Sequence, residues 1–377
     1  MTKHRMNHDL FRFAARLREL IAYGAERFPA PAFGELTLEL FALQFKHNAA
    51  YQTICAARRL TPEVVEDWTQ IPAAPTVAFK ELELSSLPPA VRTAVFHSSG
   101  TTEQTPSRHF HHAESLALYE ASLWAWFARQ VGTAGAMLFL TPGRTQAPRS
   151  SLVYMFDTVR RRLGLPESVF AGGIAADGAW VLDFPAVLRE LQSAGDAGRP
   201  LALLGTAFSF VHLLDYLGEN NLAFRLPAGS LVMETGGYKN RSRTLPKAQL
   251  HELITARLGV PAARIICEYG MSELSSQAYA GGAFAPAISP SASSLPPFHF
   301  PPWARVQIIS PETGREVGEG QTGLIRVLDL ANVFSVAAIQ TEDLGVRRGE
   351  GFELIGRAAK AEPRGCSLMT PESLATI

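Results

Sequence analysis

Residues 97–110, HSSGTTEQTPSRHF, place two serines, a glycine and two threonines directly behind an apolar run that ends at Phe96. Backbone amides from Ser98, Ser99, Gly100, Thr101 and Thr102 can curl into a concave anion seat, and Gly100 lets the chain approach a ligand closely. No Gly-Lys-Ser/Thr follows, so this is not the Walker phosphate loop; a Ser/Thr-rich turn without function has the same composition. EYGMSE, residues 268–273, sets Tyr269, Gly270, Ser272 and Glu273 just past another apolar run. A carboxylate there can ligate Mg2+, a hydroxyl can reach a phosphate and a phenol ring can stack on a base. Ser272 with Glu273 also reads as an ordinary helix N-terminus. TEDLG, residues 341–345, puts Asp343 in an expected turn between strands. It is there either a turn former or a carboxylate that accepts two ribose hydroxyls.

Other candidates are more isolated. ETGGY carries the pair Gly236 and Gly237 at a strand end, and Arg357 closes a strand-like stretch as a surface arginine would. Cys366 lies in EPRGCSLM behind Arg364 and Gly365, and nearby cations favour the thiolate, the form that attacks carbonyl carbon. Cys55 and Cys267 fall within apolar patterns and are expected to be inert core thiols. HFHH, residues 109–112, has no second cluster at metal-ligand spacing, so a solvated strand or loop is expected there.

The bulk of the chain restricts the classes open to it. Its 377 residues are 47% hydrophobic, enough for two or three packed units. Lys plus Arg equals Asp plus Glu at 35 each, so no global field draws nucleic acid or anionic lipid. The short basic cluster KNRSR at 239–243 suits a local anionic ligand. Three cysteines without paired spacing indicate reduced thiols and a cytoplasmic setting. No stretch approaches the roughly 20 apolar residues that span a bilayer, so no integral membrane contact is expected.

The elements that must position these residues follow from periodicity. An amphipathic helix is predicted over 8–24, a helical region over 36–58 and an extended, proline-punctuated segment over 71–84. From about residue 91 apolar runs alternate with helical stretches: TAVF, AMLFLTP, PLALLG, GSLVME and RIICE read as strands. This predicts a parallel, doubly wound sheet whose ligands sit outside the strands' carboxyl ends. Beyond the Gly/Pro/Ser-rich stretch 281–303, ARVQIIS, GLIRVLDL and VAAIQTEDLG predict a small antiparallel sheet or barrel. The expected divisions are a helical N-terminal region (1–90), an α/β core (91–285), a small antiparallel β subdomain (286–356), and a hinge with a short tail carrying Cys366 (357–377).

Taken in order, SSGTTEQTPS, ETGGY, EYGMSE, TEDLG and GRAAKAEPRG resemble the signatures of the adenylate-forming (acyl-activating) enzymes over residues 71–377. IPAAPTVAFK, the PPW before the barrel-like strands and the ending RGCSLM are most similar to the LuxE-type acyl-protein synthetase branch. The resemblance implies the large N-terminal domain of that fold with its C-terminal domain truncated. It further implies ATP and Mg2+ as cofactors, a fatty or other carboxylic acid as substrate, and a partner such as an acyl reductase. Ser98 to Thr102 would hold the ATP phosphates, Gly236 and Gly237 would lie against adenine and the acyl site, and Tyr269 would flank adenine beside Gly270. Ser272 would contact phosphate, Glu273 would ligate Mg2+, Asp343 would bind the ribose, and Arg357 would stand near the ribose and α-phosphate. Cys366 matches the cysteine that accepts the acyl group.

The sequence departs from the superfamily pattern in places. Glu103 and Gln104 replace a glycine region, Ser107 and Arg108 stand where a lysine is usual, and TED replaces TGD. With the domain that carries the adenylation lysine expected to be missing, Lys80, Arg241, Arg243 and Lys360 are candidates for its charge. The alternatives are a ligase passing its acyl or aryl group to coenzyme A or an amine, and a non-catalytic nucleotide-binding scaffold subunit.

Overall fold

The computed structural model describes residues 8–29, 32–98, 105–132, 135–165, 168–236, 245–282 and 296–358. Helix α1 (His8–Ala22) buries Leu10, Phe13, Leu17 and Ile21 at the three- and four-residue spacing of one face. The helical region predicted over 36–58 is divided into α2 (Ala32–His47) and α3 (Ala49–Ala57). Buried Asn48 is the reason, because its side chain caps α3 by accepting from the Tyr51 amide. The segment 71–84 is not extended throughout: it holds a two-residue strand, β1 (Ala74–Pro75), and then a single helical turn, α4 (Ala78–Glu81).

Strand β2 (Ala94–His97) pairs antiparallel with β3 (Arg108–His111) in a ladder of their own. The expectation that TAVF joins the parallel sheet is therefore corrected. Only Phe96 of β2 is fully buried, whereas a central parallel strand is covered on both faces.

The main sheet follows in chain order. Helix α5 (Ala113–Gln130) leads to β4 (Ala136–Leu140), α6 (Ser151–Leu163) and β5 (Val169–Phe170). A small hairpin, β6 (Gly172–Ile174) with β7 (Trp180–Leu182), precedes α7 (Phe184–Asp196). Then come β8 (Leu201–Thr206), α8 (Ala207–Glu219), β9 (Leu231–Thr235), α9 (Lys247–Leu258), β10 (Ile265–Tyr269) and β11 (Ala278–Ala280). Among the described residues the strand order is β11-β10-β9-β8-β4-β5, parallel except for the β10–β11 edge.

Alternation along these strands feeds two cores. Leu138, Leu203, Val232 and Ile265 pack with Leu191, Phe210, Leu250 and Ile254 from α7, α8 and α9. Phe139, Leu204, Met233 and Ile266 belong to the other core, with α1, α2, α5 and α6. Each fully buried Leu or Phe contributes about 1.5–3 kcal/mol, so continuous apolar strands covered on both faces specify the doubly wound layer. The winding reverses at β4, which lies between β5 and β8.

The remaining strands, β12 (Ala304–Ile309), β13 (Thr322–Asp329), β14 (Ala338–Arg348) and β15 (Gly351–Arg357), form the predicted antiparallel sheet. On one edge β14 pairs with β13; on the other it pairs first with β1, at Ile339 and Gln340, and then with β15. Among the described residues no helix is long and apolar enough to cross a membrane.

Candidate active site

The carboxyl end of β10 meets the antiparallel sheet at Tyr269. The Tyr269 hydroxyl donates to Asp343 Oδ2 at 2.9 Å, and the Tyr269 ring packs against Phe298, Phe300 and Phe352 with centroids 6.1, 6.2 and 5.2 Å away. Asp343 lies inside β14, directly opposite Arg357 of β15, and not in a turn between strands. The TEDLG stretch looks turn-like, but it stays in the ladder where the β14–β15 register shifts between Leu344 and Gly345. Burial raises the Asp343 carboxyl above its usual range, against the Tyr269 hydrogen bond and the Arg357 charge. Arg357 Nε is 3.8 Å from Asp343 Oδ1, and its side chain is 82% exposed.

Past Tyr269 the chain turns tightly. A Cβ on Gly270 would collide with the Glu268 carboxylate. No helix follows, so the helix-cap alternative for Ser272 is excluded; residues 272–273 form a turn that leads into β11. Ser272 Oγ donates to Glu273 Oε2 at 2.9 Å and lies 3.3 Å from Ser107 Oγ. With the Ser272 proton committed to the carboxylate, Ser107 is the donor in that second contact. Ser107 in turn is tied to Ser98, its amide donating to Ser98 Oγ at 2.9 Å. Glu273 Oε1 accepts no hydrogen bond from the described residues. One buried carboxylate with a free oxygen beside hydroxyls fits Mg2+, which takes one or two protein carboxylates and completes its shell with phosphate and water.

Several residues that hold this turn were not legible in the sequence. His109 Nδ1 is 2.9 Å from the Ser272 carbonyl; a carbonyl only accepts, so Nδ1 carries the proton. HFHH is buried rather than solvated: His109, His111 and His112 all lie inside. Burial, opposed only by the Ser272 contact, lowers His109 to about 4, and its ring lies 4.2 Å from that of His111. His112 caps α5. Asp329, fully buried, accepts from the Ser275 and Ser276 amides at 2.8 Å and from Ser276 Oγ at 2.7 Å. A lone Asp at the end of the apolar run GLIRVLD is the one signal that marked it.

Of the other predicted residues, Gly236 follows β9 with φ +70°, which suits glycine. Lys80 lies on α4, just after the strand paired to Ile339 and Gln340. Ser99, Gly100, Thr101, Thr102, Gly237, Arg241, Arg243, Lys360 and Cys366 lie outside the described residues. Phe210 and Trp126 lie in the core, while Phe208 lines a cavity of about 130 Å³ with Leu140, Trp180, Leu182 and Phe184. That cavity lies at the carboxyl ends of β4 and β8.

Cys267 has a setting the sequence did not reveal. Its Sγ is 3.8 Å from His251 Nε2, which is 3.7 Å from Glu234 Oε1. These donors lie within 4.8 Å of one another, as metal ligands would. The Lys247 ammonium, 2.7 Å from Glu234 Oε1, already stands in the cation's place. Burial alone would raise Glu234, but Lys247, His251 and Cys267 outweigh it and hold the carboxyl at about 2. Burial and the Glu234 charge push the Cys267 thiol up, so it is no nucleophile.

Residues 26–375 match the protein family described as "Acyl-protein synthetase, LuxE". Two similar curated proteins are the long-chain-fatty-acid–luciferin-component ligases of Aliivibrio fischeri and Vibrio harveyi. The first is 22% identical over 356 residues, 89% of this chain and 86% of that protein. The second is 22% identical over 343 residues, 87% and 84%. Among solved structures, 2-hydroxyisobutyryl-CoA ligase in complex with 2-HIB-AMP superposes with a TM-score of 0.62 at 13% identity, covering 87% of this chain and 70% of that one. Its open conformation gives a TM-score of 0.61. The family match spans nearly the whole chain, and the structural likeness shows the fold: this protein belongs to the LuxE family of acyl-protein synthetases, ligases built on the adenylate-forming fold.

Proposed function

We propose that this protein uses ATP to activate a fatty acid as its acyl-adenylate and then captures the acyl group on Cys366 as a thioester. A carboxylate oxygen of the acid attacks the α-phosphorus, and the bond to the β-phosphate oxygen breaks with its electron pair leaving on pyrophosphate. The acid is already ionised, so the step needs no general base. The Cys366 thiolate then attacks the acyl carbon, AMP departs with the electron pair of the anhydride bond, and the thiol proton passes to solvent. A partner that reduces or otherwise handles acyl groups would take the product from the tail.

Each residue has a task in this reading. Asp343 would accept the ribose hydroxyls through Oδ1, since Tyr269 occupies Oδ2, and Arg357 would stand beside it. The loop from Ser98 to Thr102 would supply amides to the phosphates. Glu273 would hold Mg2+, which when bound neutralises charge on the phosphates. Gly236, Gly237 and the aromatic-lined cavity would lie beside the acyl group. The division into a helical region (1–90), α/β core (91–285), β subdomain (286–356) and tail (357–377) belongs to the same proposal.

The observation that carries the reading is the Tyr269–Asp343 bond. It brings a carboxylate of one sheet to the carboxyl end of a parallel strand, beside the Ser107–Ser272–Glu273 chain. Hydroxylamine trapping tests it: with Mg·ATP and a panel of carboxylic acids, the reading requires acyl-hydroxamate and AMP in equal amounts, and Asp343→Asn should nearly abolish both. ATP turnover to ADP, or none with any acid, would overturn it.

A further inference from the structure

A further polar group lies on the other face of the strand that carries Tyr269. Side chains alternate along β10, so Tyr269 points to Asp343 while Glu268 points the opposite way. Glu268 stands in register between Thr235 of β9 and Tyr279 of β11, and register partners share a face. The Tyr279 ring lies 6.4 Å from that of Phe127 on α5, which identifies that face as the α5 side. Glu268 Oε1 fills the space that a Cβ on Gly270 would take, and Gln277 Cγ borders the same space at 3.4 Å. Glu268, Tyr279 and Gln277 are therefore neighbours, and each is more than nine-tenths buried.

These groups are incompletely satisfied among the described residues. The Thr235 hydroxyl donates to Glu268 Oε2, and Oε1 accepts no hydrogen bond. Tyr279 Oη and Gln277 Oε1 are buried without a partner, which is costly unless a ligand completes them. Burial raises the Glu268 carboxyl to about 7, with the Thr235 bond and the Lys247 charge opposing and the Glu234 charge adding. Burial pushes the Tyr279 hydroxyl well up, so it keeps its proton and needs an acceptor. The group adjoins the ends of β9 and β10, because Thr235 directly precedes Gly236 and Glu268 directly precedes Tyr269. A plain alkyl chain offers these atoms nothing. A hydroxyl donates to Glu268 or Gln277 and accepts from Tyr279 at once, whereas an ammonium cannot accept.

We propose that the acid this protein activates carries a hydroxyl group close to its carboxylate, held by Glu268, Tyr279 and Gln277, and that these side chains set the specificity for it. This rests on the adenylation reading above and deepens it by naming the substrate class. An acid without the hydroxyl leaves Tyr279 Oη and Gln277 Oε1 buried and unpaired when it binds, a larger penalty than the loss of a methylene contact.

Hydroxamate and AMP formation from decanoic acid and its 2-hydroxy, 3-hydroxy and 3-amino derivatives tests this on the full-length protein. One hydroxy acid should exceed both decanoic and 3-aminodecanoic acid in kcat/KM by about 100-fold. Tyr279→Phe removes an unpartnered hydroxyl, so Tm should not fall, yet that ratio should drop about tenfold. Glu268→Leu should lower the ratio further, and Glu268→Gln should recover part of it, since an amide oxygen still accepts. Equal use of decanoic acid and both hydroxy acids, or a preference that survives Tyr279→Phe and Glu268→Leu, would overturn the assignment and leave the three groups to hold water alone. Failure of adenylation itself would look different: no acid would yield AMP. Calorimetry with the same acids then decides. A hydroxy acid bound about tenfold more weakly by Tyr279→Phe than by the wild type supports the hydroxyl site, whereas unchanged affinity or no binding overturns it.

Discussion

Two polar clusters border the ends of β9 and β10, and they are built in opposite ways. On the α9 face, Glu234, Lys247, His251 and Cys267 turn inward on one another, and the Lys247 ammonium neutralises the carboxylate at 2.7 Å. On the loop side, Glu273 engages one oxygen with Ser272 and Asp343 engages one with Tyr269. Among the described residues their other oxygens accept no hydrogen bond, and Arg357, 3.8 Å from Asp343, is exposed. A buried charge that finds its counter-charge inside the fold acts as structure. A carboxylate left with spare acceptor capacity at the carboxyl end of a parallel strand is where a ligand completes the set.

The contrast can be broken most forcefully at Lys247. Lys247→Met leaves Glu234 buried without its counter-charge and should cost about 3–5 kcal/mol in denaturant unfolding. The double variant Glu234→Gln/Lys247→Met should recover most of that. A neutral Lys247→Met would mean that the cluster is not held by its ion pair. At the other cluster the sign reverses: Asp343→Asn should reduce kcat/KM for adenylation about 100-fold with little change in Tm, because the group's work is done on the ligand. Loss of Tm in proportion to activity would make Asp343 structural as well.

His109 sharpens the comparison through pH. It titrates near 6.5 when unfolded and at about 4 in the folded protein, where burial disfavours its charged form. Between those values the unfolded chain binds the extra proton, so stability rises with pH. The contribution is fully present above about pH 6.5 and is lost as pH falls toward 4, by up to about 3 kcal/mol. His109→Gln keeps a donor for the Ser272 carbonyl, so its acid limb should be shallower; an identical pH profile would remove His109 as the cause. The smallest effect belongs to Gly236. Among the described residues a Cβ there meets nothing within 4 Å, so Gly236→Ala should cost only the strain of φ +70°, about 1 kcal/mol.

How much of this could be seen in the sequence depended on how local the cause was. AMLFL and RIICE declare themselves because strands covered on both faces must be apolar throughout. TAVF has the same letters, but its partner is chosen by the returning RHFH, and no local pattern says so. Asn48 splits a helix through a cap that only shows once Tyr51 is placed. The site motifs EYGMSE and TEDLG were legible as candidates, and their meeting at Tyr269 and Asp343 was not, since 74 residues separate them. The roles of His109, Asp329 and Ser107 escaped notice because each acts through a backbone group or hydroxyl far along the chain. HFHH misled because polar letters were read as exposed, whereas their neighbours Phe96 and Tyr119 enclose them.

Whether Cys366 carries the acyl group is decided by intact-protein mass spectrometry. Wild type and Cys366→Ala are incubated with Mg·ATP and a fatty acid series, then treated with neutral hydroxylamine. The proposed mechanism requires one ATP-dependent acyl adduct on the wild type, removed by hydroxylamine and absent from Cys366→Ala, while both proteins release AMP in the first turnover. An adduct that survives in Cys366→Ala, or AMP release with no adduct on either protein, would contradict capture on this thiol and place the acceptor elsewhere.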